Sequence, residues 1–276
     1  MFITRPVTFV VTVNNREVFE SNFLASPIFG SPHPHQISVQ EGFGSAAEAY
    51  NEALARSEND LIVFAHQDVI FPMPWLSQLQ VALENLEEAD PAWGVLGCYG
   101  RTRENEGRGN VYTSGLGILG EPFSHPIPVQ TLDEIVLILR KSSGLRFDNT
   151  LPNFHMYGAD ICMAAAKHGM KSYAIPAFCI HNTVFNLVLP KEFYDCYKHV
   201  QLTWKEFLPI QTTCVRITRS GLPMHRRRLR ELYLKYVLHK RVGATRAMDV
   251  QQLLDTVTRT QADSPEESPC QIWNKG

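Results

Sequence analysis

The sequence predicts an α/β fold with a mainly parallel central sheet and helices on both faces. Three observations predict it. Val7-Thr8-Phe9-Val10-Val11-Thr12-Val13 is a β-branched run of the kind that forms strands. Leu61 to Phe64 is an apolar run bounded by polar residues, as expected of a strand covered on both faces. Between and around them the order reads strand, helix, strand, helix, strand, the signature of a doubly covered sheet.

The chain of 276 residues suits one large domain, or a domain with an extension. Its net charge of −2 gives no global reason to bind nucleic acid. The six cysteines form no CxxC pair, and the opening Met1-Phe2-Ile3-Thr4-Arg5-Pro6 is too short an apolar segment for a leader. Together these lead to the expectation of a cytoplasmic protein with free thiols. No stretch approaches the roughly 20 apolar residues that a membrane span needs.

After the first strand, Asn14-Asn15-Arg16 makes a turn, and Glu17 to Leu24 reads as a short helix. Ser31-Pro32-His33-Pro34-His35 is a loop, because its two prolines break both regular periods. Its histidines read as solvent-exposed spacers rather than a metal pair. Gln36 to Gln40 is the second strand. The helix from Ser45 to Arg56 opens with a capping box, Ser45 and Glu48, and Ala49, Ala53 and Leu54 form its apolar face. Gly42-Phe43-Gly44 lies before it, where a backbone-lined anion edge could sit, but neither GxGxxG nor a P-loop is complete. A tight turn explains these glycines equally well.

Leu61 to Phe64 then leads into His66 and Asp68. If Ala65 to Val69 stays extended, those two side chains share one side of the strand and could meet a cation at the carboxyl edge, where ligands of open α/β sheets bind. Capping of a local loop is the other reading of the pair. Pro72 and Pro74 end the strand, and Trp75 to Glu88 forms a helix with Leu76, Leu79, Leu83 and Leu86 at spacings of three or four. Trp93 to Cys98 is another buried strand. Tyr99 to Phe123, with six glycines and Arg101, Arg103 and Arg108, reads as a decorated surface connection, or as a loop that surrounds a substrate.

Ile135 to Leu139 is a β-branched strand preceded by Asp133 and Glu134, which line a cleft or sit solvated in a loop. The stretch after Tyr157 forms a helix closed by Gly169. Asp160 lies in its first turn, where helix amides are expected to keep the carboxylate ionised, either for base chemistry or for stability alone. Ser172 to Pro176 makes a short strand, and His181 follows the next apolar element. From Pro190 the composition changes. Lys191 to Phe207 is an amphipathic helix. Arg216 to Arg246 carries ten Lys or Arg residues against Glu231 alone, and could form a plain surface helix or touch an anionic membrane or a partner. Gln261 to Gly276 reads as a disordered tail. The expected division is 1–189, 190–260 and 261–276.

Several segments together resemble the nucleotide-sugar-dependent glycosyltransferases of GT-A type, in the family-two-like group that includes a streptomycin-biosynthesis-related domain. They are Ser45-Ala46-Ala47-Glu48-Ala49-Tyr50-Asn51, Val63 to Val69 with its His-Gln-Asp, Thr131-Leu132-Asp133, Phe147-Asp148, Phe154 to Cys162, and His181-Asn182. The resemblance spans about residues 7 to 189. It implies a nucleotide-diphosphate-sugar donor, an acceptor hydroxyl, and a divalent cation held by His66, Asp68 and His181. It further implies Asn14 and Glu41 near the nucleotide, Gln67 and Asp133 in the donor-binding set, and Asp160 as the base of an inverting displacement. His66 stands where the family has its first aspartate. Two imidazoles and one carboxylate favour Mn²⁺ over Mg²⁺, which prefers oxygen ligands. The rival readings are a nucleotide-sugar-binding or scaffolding protein that has lost transfer, and a metal-dependent nucleotidyl- or phosphotransferase.

Overall fold

The computed structural model describes residues 5–30, 32–183, 188–237 and 249–262. Its first strands follow the sequence closely: β1 (Thr8–Thr12), β2 (Gln36–Gln40) and β3 (Leu61–His66). β2 and β3 flank β1 in parallel, so all three carboxyl ends emerge at one edge. Between β1 and β2 the expected helix over 17–24 is a single turn, α1 (Arg16–Val18), continued by a π-helical turn at Phe19–Phe23. Asn15 caps it, accepting from Val18 N at 3.2 Å. Between β2 and β3 runs α2 (Ala46–Arg56). Ser45 accepts from Glu48 N at 3.2 Å, while Glu48 reaches back to Gly44 N at 3.4 Å, one residue before the usual capping-box partner.

β4 (Val69–Ile70), α3 (Trp75–Ala89) and β5 (Val95–Gly97) follow, then β6 (Tyr99–Arg101), β7 (Gly107–Thr113), β8 (Gly117–Gly120), β9 (Ile127–Val129), β10 (Thr131–Leu132) and β11 (Val136–Arg140). After α4 (Tyr157–Lys167) come β12 (Ser172–Ala174) and β13 (Cys179–His181). The main sheet has seven strands in the order β2-β1-β3-β11-β5-β12-β9. β11 runs against both β3 and β5, and β9 runs against β12, so five of the seven strands point one way. A second sheet, ordered β10-β6-β7-β13-β4 with β8 beside β7, lies off the carboxyl edge of the first.

The glycine-rich segment 99–123 is therefore neither a plain connection nor a bare loop. It supplies β6, β7 and β8, an antiparallel ribbon of the second sheet. Its glycines mark close backbone approach: Gly109 sits at φ +131°, and a Cβ there would strike the carbonyl of Cys98. The histidines of the 32–35 loop are half-buried, contrary to the expectation of exposed spacers. His35 Nδ1 accepts from Val7 N at 3.3 Å, and its ring meets Phe9 edge-on at 5.7 Å.

Two layers of core flank the main sheet. On one side Phe9, Phe23, Phe71 and Trp75 pack with α3. On the other, Tyr50, Phe64, Phe147 and Tyr157 form an aromatic group between α2, β3 and α4. Burying each such ring contributes about 1.5–3 kcal/mol. The chain beyond Pro190 joins this second layer. α5 (Lys191–Thr203) buries Phe193, Tyr197 and Val200 there, followed by Trp204, Ile210 and Ile217. α6 (Leu222–Tyr236) lies on the surface, and α7 (Val250–Ala262) packs Leu253 and Val257 on Ile70, Phe178 and Ile180. Gln261 and Ala262 end α7, and the rest of the expected tail lies outside the described residues.

Candidate metal and donor site at the carboxyl edge

β3 ends at His66, and a two-residue turn at 67–68 leads into β4. His66 and Asp68 thus converge through a turn, not along an extended strand. β13 pairs with β4 so that His181 lies opposite Val69, which brings a third side chain alongside. The loop after β13 is pinned: Asn182 N donates to Asp68 O at 2.9 Å, and its side chain bridges Ser114 and Asn22.

One ligand atom from each of His66, Asp68 and His181 lies within 4.8 Å of the others. His66 Nδ1 is 3.4 Å from His181 Nε2, which is 3.3 Å from Asp68 Oδ1. Donors sharing one ion at bond lengths of about 2.1–2.3 Å stand about 3.0–3.6 Å apart, so these spacings fit a cation.

The tautomer of His66 fits as well. Tyr157 Oη is 3.4 Å from the carbonyl of Glu134 and 2.9 Å from His66 Nε2. A carbonyl only accepts, and metal binding through Nδ1 requires the assignment in which the phenol donates to Glu134 O and accepts the Nε2 proton of His66. That assignment leaves the Nδ1 lone pair facing Asp68 and His181. On the far side of His181, Nδ1 is buried with no partner among the described residues.

The charges agree with this arrangement. Burial pushes His66 down to about 4, and His181 adds to the shift, so His66 is neutral at pH 7. Burial alone would raise Asp68, but the charge and hydrogen bond of His181 outweigh it and hold the carboxylate well below its usual range. Burial likewise pulls His181 down, yet Asp68 wins and its net shift is upward. The cluster therefore combines an ionised carboxylate, a neutral imidazole and an imidazole whose hold on a proton Asp68 strengthens, so that a metal would compete with that proton.

The candidate donor-binding residues gather at the same edge. Gln67 Oε1 accepts from Asn14 N and Asn15 N at 3.1 and 3.0 Å, and its amide donates to Asn14 Oδ1 at 2.6 Å. Gln67 thus ties the end of β3 to the end of β1. Glu41, at the end of β2, forms a forked ion pair with Arg16 at 3.0 and 3.1 Å. Asp133 accepts from Ile135 N at 3.2 Å and from Thr213 Oγ1 at 2.5 Å, so the 210–217 loop closes on this side of the cleft.

Asp160 is placed differently. It shares the first turn of α4 with Tyr157, but the residue is only 1% exposed. Oδ1 accepts from Trp204 Nε1 at 2.6 Å and Oδ2 from Asp148 N at 3.4 Å. Burial raises its pKa to about 6, against the Trp204 bond, which leaves the carboxylate mostly ionised at pH 7.

Glu134 is the carboxylate that sequence reading named but left out of the site. It is half-buried, and Oε1 accepts from Gly158 N at 3.3 Å at the start of α4. A Cβ on Gly158 would lie 3.1 Å from Glu134 Cγ and 2.7 Å from Leu132 O, so the glycine makes room for this side chain. Burial, with Asp133 adding, raises Glu134 to about 8. Tyr157 and Trp204 were also missed as site residues. Tyr157 lies in the Phe154 to Cys162 segment of the resemblance, which gives it no role, and Trp204 falls on the apolar face of the helix over 191–207.

A Rossmann-like half-sheet with cation donors at its carboxyl edge and a second sheet laid across that edge defines the GT-A class of transferase. The chain belongs to the glycosyltransferase-like family, whose model matches residues 8–195. A relative from Fuscovulum blasticum, described as "ATP synthase subunits region ORF 6", is 31% identical over 140 residues, 48% of this chain and 55% of that one. The chain thus spans about half the length of that relative. Among solved structures, GalNAc-T7 with UDP, GalNAc and Mn²⁺ is 8% identical with a TM-score of 0.51, covering 74% of this chain and 49% of that one. The mannosyltransferase PcManGT from Pyrobaculum calidifontis, in complex with GDP-Man and Mn²⁺, is 16% identical with a TM-score of 0.43, covering 95% and 81%.

Proposed function

We propose that the protein is a metal-assisted glycosyltransferase that moves a sugar from a nucleotide-diphosphate donor to an acceptor hydroxyl with inversion. The observation that carries this reading is the convergence of His66, Asp68 and His181 at the carboxyl edge of the sheet, in a chain of the glycosyltransferase-like family. GalNAc-T7, which shares the fold, is described with UDP, GalNAc and Mn²⁺. A divalent cation bound by the three side chains would supply charge against the negative charge growing on the leaving nucleoside diphosphate. The mixed nitrogen and oxygen donors favour Mn²⁺ over Mg²⁺ for that role.

The chain's own groups carry the rest. Tyr157 holds the ring of His66 in the tautomer that presents Nδ1. Asn14 and Gln67, locked to each other, and Glu41 form the wall toward the base and ribose. Asp133, fixed by Thr213, limits the cleft opposite.

A single displacement with inversion also needs a base on the acceptor side. Asp160 is the sequence candidate, and a pKa near 6 suits a proton acceptor. Its enclosure by Trp204 and Asp148 opposes direct contact with an acceptor. Glu134, less buried and anchored at Gly158 N beside Asp133, is the more accessible carboxylate, but with its pKa raised to about 8 it is mostly protonated at pH 7 and accepts a proton only in its minor, ionised form. The reading of a donor-binding protein without transfer is favoured by the enclosure of Asp160, and stands if neither carboxylate supports turnover.

The test is a panel of UDP- and GDP-sugars screened for Mn²⁺-dependent thermal stabilisation, since a ligand of the native state raises its apparent stability. Any donor found is then assayed for transfer or hydrolysis, with the anomeric configuration of the product determined. Mn²⁺-dependent binding and an inverted product support the proposal. Binding without turnover supports the donor-binding protein, and a retained configuration overturns the single displacement.

A further inference from the structure

Among the described residues, no helix is long and apolar enough to cross a membrane. α6 nevertheless presents an apolar face that no other described residue covers. On a 3.6-residue repeat, Leu222, Leu229, Tyr233 and Tyr236 fall on one side of the helix, with Val237 and Leu232 next to them. All six are exposed, Leu229 by 67% and Tyr236 by 62%. The opposite side is the anchored one. Met224 and Glu231 are buried there, and Glu231 is held by Arg227 Nε at 2.8 Å and Tyr194 Oη at 2.8 Å.

The charges on this helix are as one-sided as its apolar groups. Five cations, Arg226, Arg227, Arg228, Arg230 and Lys235, face a single acid, and that acid is the buried Glu231. Arg226 lies within the edge of the apolar face, between Tyr233 and Val237, and Arg230 borders it on that flank, while Arg228 and Lys235 lie past Leu232 toward the anchored side, where Arg228 stacks on Tyr194. The arginine flank also lines a groove of about 430 Å³ with Cys214 and Val215. The whole chain has a net charge of −2, so this cationic rim is local and does not follow from a generally basic surface.

We propose that α6 docks the protein on an anionic lipid surface, lying in the plane of the interface with Leu222, Leu229, Tyr233 and Tyr236 among the acyl-chain ends and the arginines at the headgroups. An exposed leucine and tyrosine stripe rimmed by cations is the pattern of an interfacial helix, because tyrosine places its ring at the apolar boundary and its hydroxyl in the polar layer. Charge complementarity selects the lipid: the rim offers donors to phosphate and no exposed acid to pair with a basic partner. The same helix is tied to the cleft. Arg227 Nη1 donates to Cys214 O at 2.6 Å, and the neighbouring Thr213 holds Asp133. Docking through α6 therefore brings the rim of the cleft close to the membrane surface. This proposal is independent of sugar transfer and stands or falls on binding alone.

The experiment is co-sedimentation of the full chain with vesicles of phosphatidylcholine, alone or mixed with phosphatidylglycerol, at low and high salt. Binding is expected only to the mixed vesicles and is expected to weaken with salt. Reversal of Arg226 and Arg230 to Glu should lower the partition at least about fivefold per position, given the contribution of one cation near an anionic surface. Leu229→Ser with Tyr236→Ser should reduce it at unchanged ionic attraction. These positions are exposed, so the circular dichroism spectrum and melting temperature of each variant should match the parent. Equal binding to both vesicle types would overturn the charge argument. Absence of vesicle binding, or a concentration-dependent dimer abolished by the Leu229/Tyr236 pair, would overturn the proposal in favour of a protein contact.

Discussion

Trp204 Nε1 donates to Asp160 Oδ1 across 2.6 Å, joining the C-cap of α5 to the first turn of α4. The bond makes a buried carboxylate part of the packing between chain segments 44 residues apart. Removing the donor with Trp204→Phe leaves that carboxylate short of a partner, and is expected to cost about 1–3 kcal/mol in denaturant unfolding. A loss under about 0.5 kcal/mol would show that the contact contributes little.

The same carboxylate sets a pH dependence. Asp160 is raised from 3.8 to about 6 by burial, so the folded state holds its proton more tightly than the unfolded chain. Its contribution to stability is full below pH 3.8 and is lost as pH rises through about 6. Asp160→Asn keeps an acceptor for Trp204 and cannot ionise. Its stability relative to the parent should therefore improve between pH 4 and pH 7, by on the order of 2–3 kcal/mol. A difference that stays flat across this range would place the Asp160 pKa near its ordinary value.

Tyr157→Phe removes the group that fixes the His66 tautomer while keeping the ring within the aromatic cluster. Loss of such an outer partner typically weakens metal binding about 10- to 100-fold. Mn²⁺ titration of the variant should show that loss with near-native stability. Unchanged affinity would mean that His66 is not a ligand through Nδ1.

The two carboxylate candidates for the base separate in a pH–rate profile once a donor and acceptor are in hand. A base must be deprotonated, so kcat/KM rises with pH through the pKa of the free enzyme's base. Glu134 predicts a rise near 8 and Asp160 a rise near 6. Glu134→Gln should lower kcat about 100-fold or more with a smaller change in KM. Full activity in Glu134→Gln, with the rise near 6 retained, would return the role to Asp160.

Gly158→Ala tests whether Glu134 depends on the space beside α4. The added Cβ would stand 2.7 Å from Leu132 O and 3.1 Å from Glu134 Cγ. Overpacking of this kind costs about 1–3 kcal/mol, and the side chain of Glu134 should be the part that moves. An unshifted pH–rate profile in the variant would detach Glu134 from the chemistry.

Much of this architecture was legible before the structure, and the failures share a cause. β1, β2, β3, α2 and α3 carry their own periodicity and caps, so local reading found them to within a residue or two. His66, Asp68 and His181 were named as partners on the strength of residue type and position at the ends of apolar runs, and they meet. The route was misjudged, because His66 and Asp68 meet through a turn and His181 arrives through a second sheet. That sheet was hidden in 99–123, where glycines required by close backbone approach look the same in sequence as glycines of a loop. In sequence, Asp160 is placed by its helix turn and by the resemblance. Nothing local shows that Trp204 covers it, and burial outweighs the hydrogen bonds from Trp204 and Asp148 N.

Calorimetric titration of UDP- and GDP-sugars with and without Mn²⁺ decides whether the cation site at His66, Asp68 and His181 serves a sugar nucleotide. The prediction is affinity for at least one donor that requires Mn²⁺ and disappears in the double variant His66→Ala, Asp68→Ala, whose fold is verified by circular dichroism. Donor affinity that is the same with and without Mn²⁺, or that survives in the folded double variant, would contradict it.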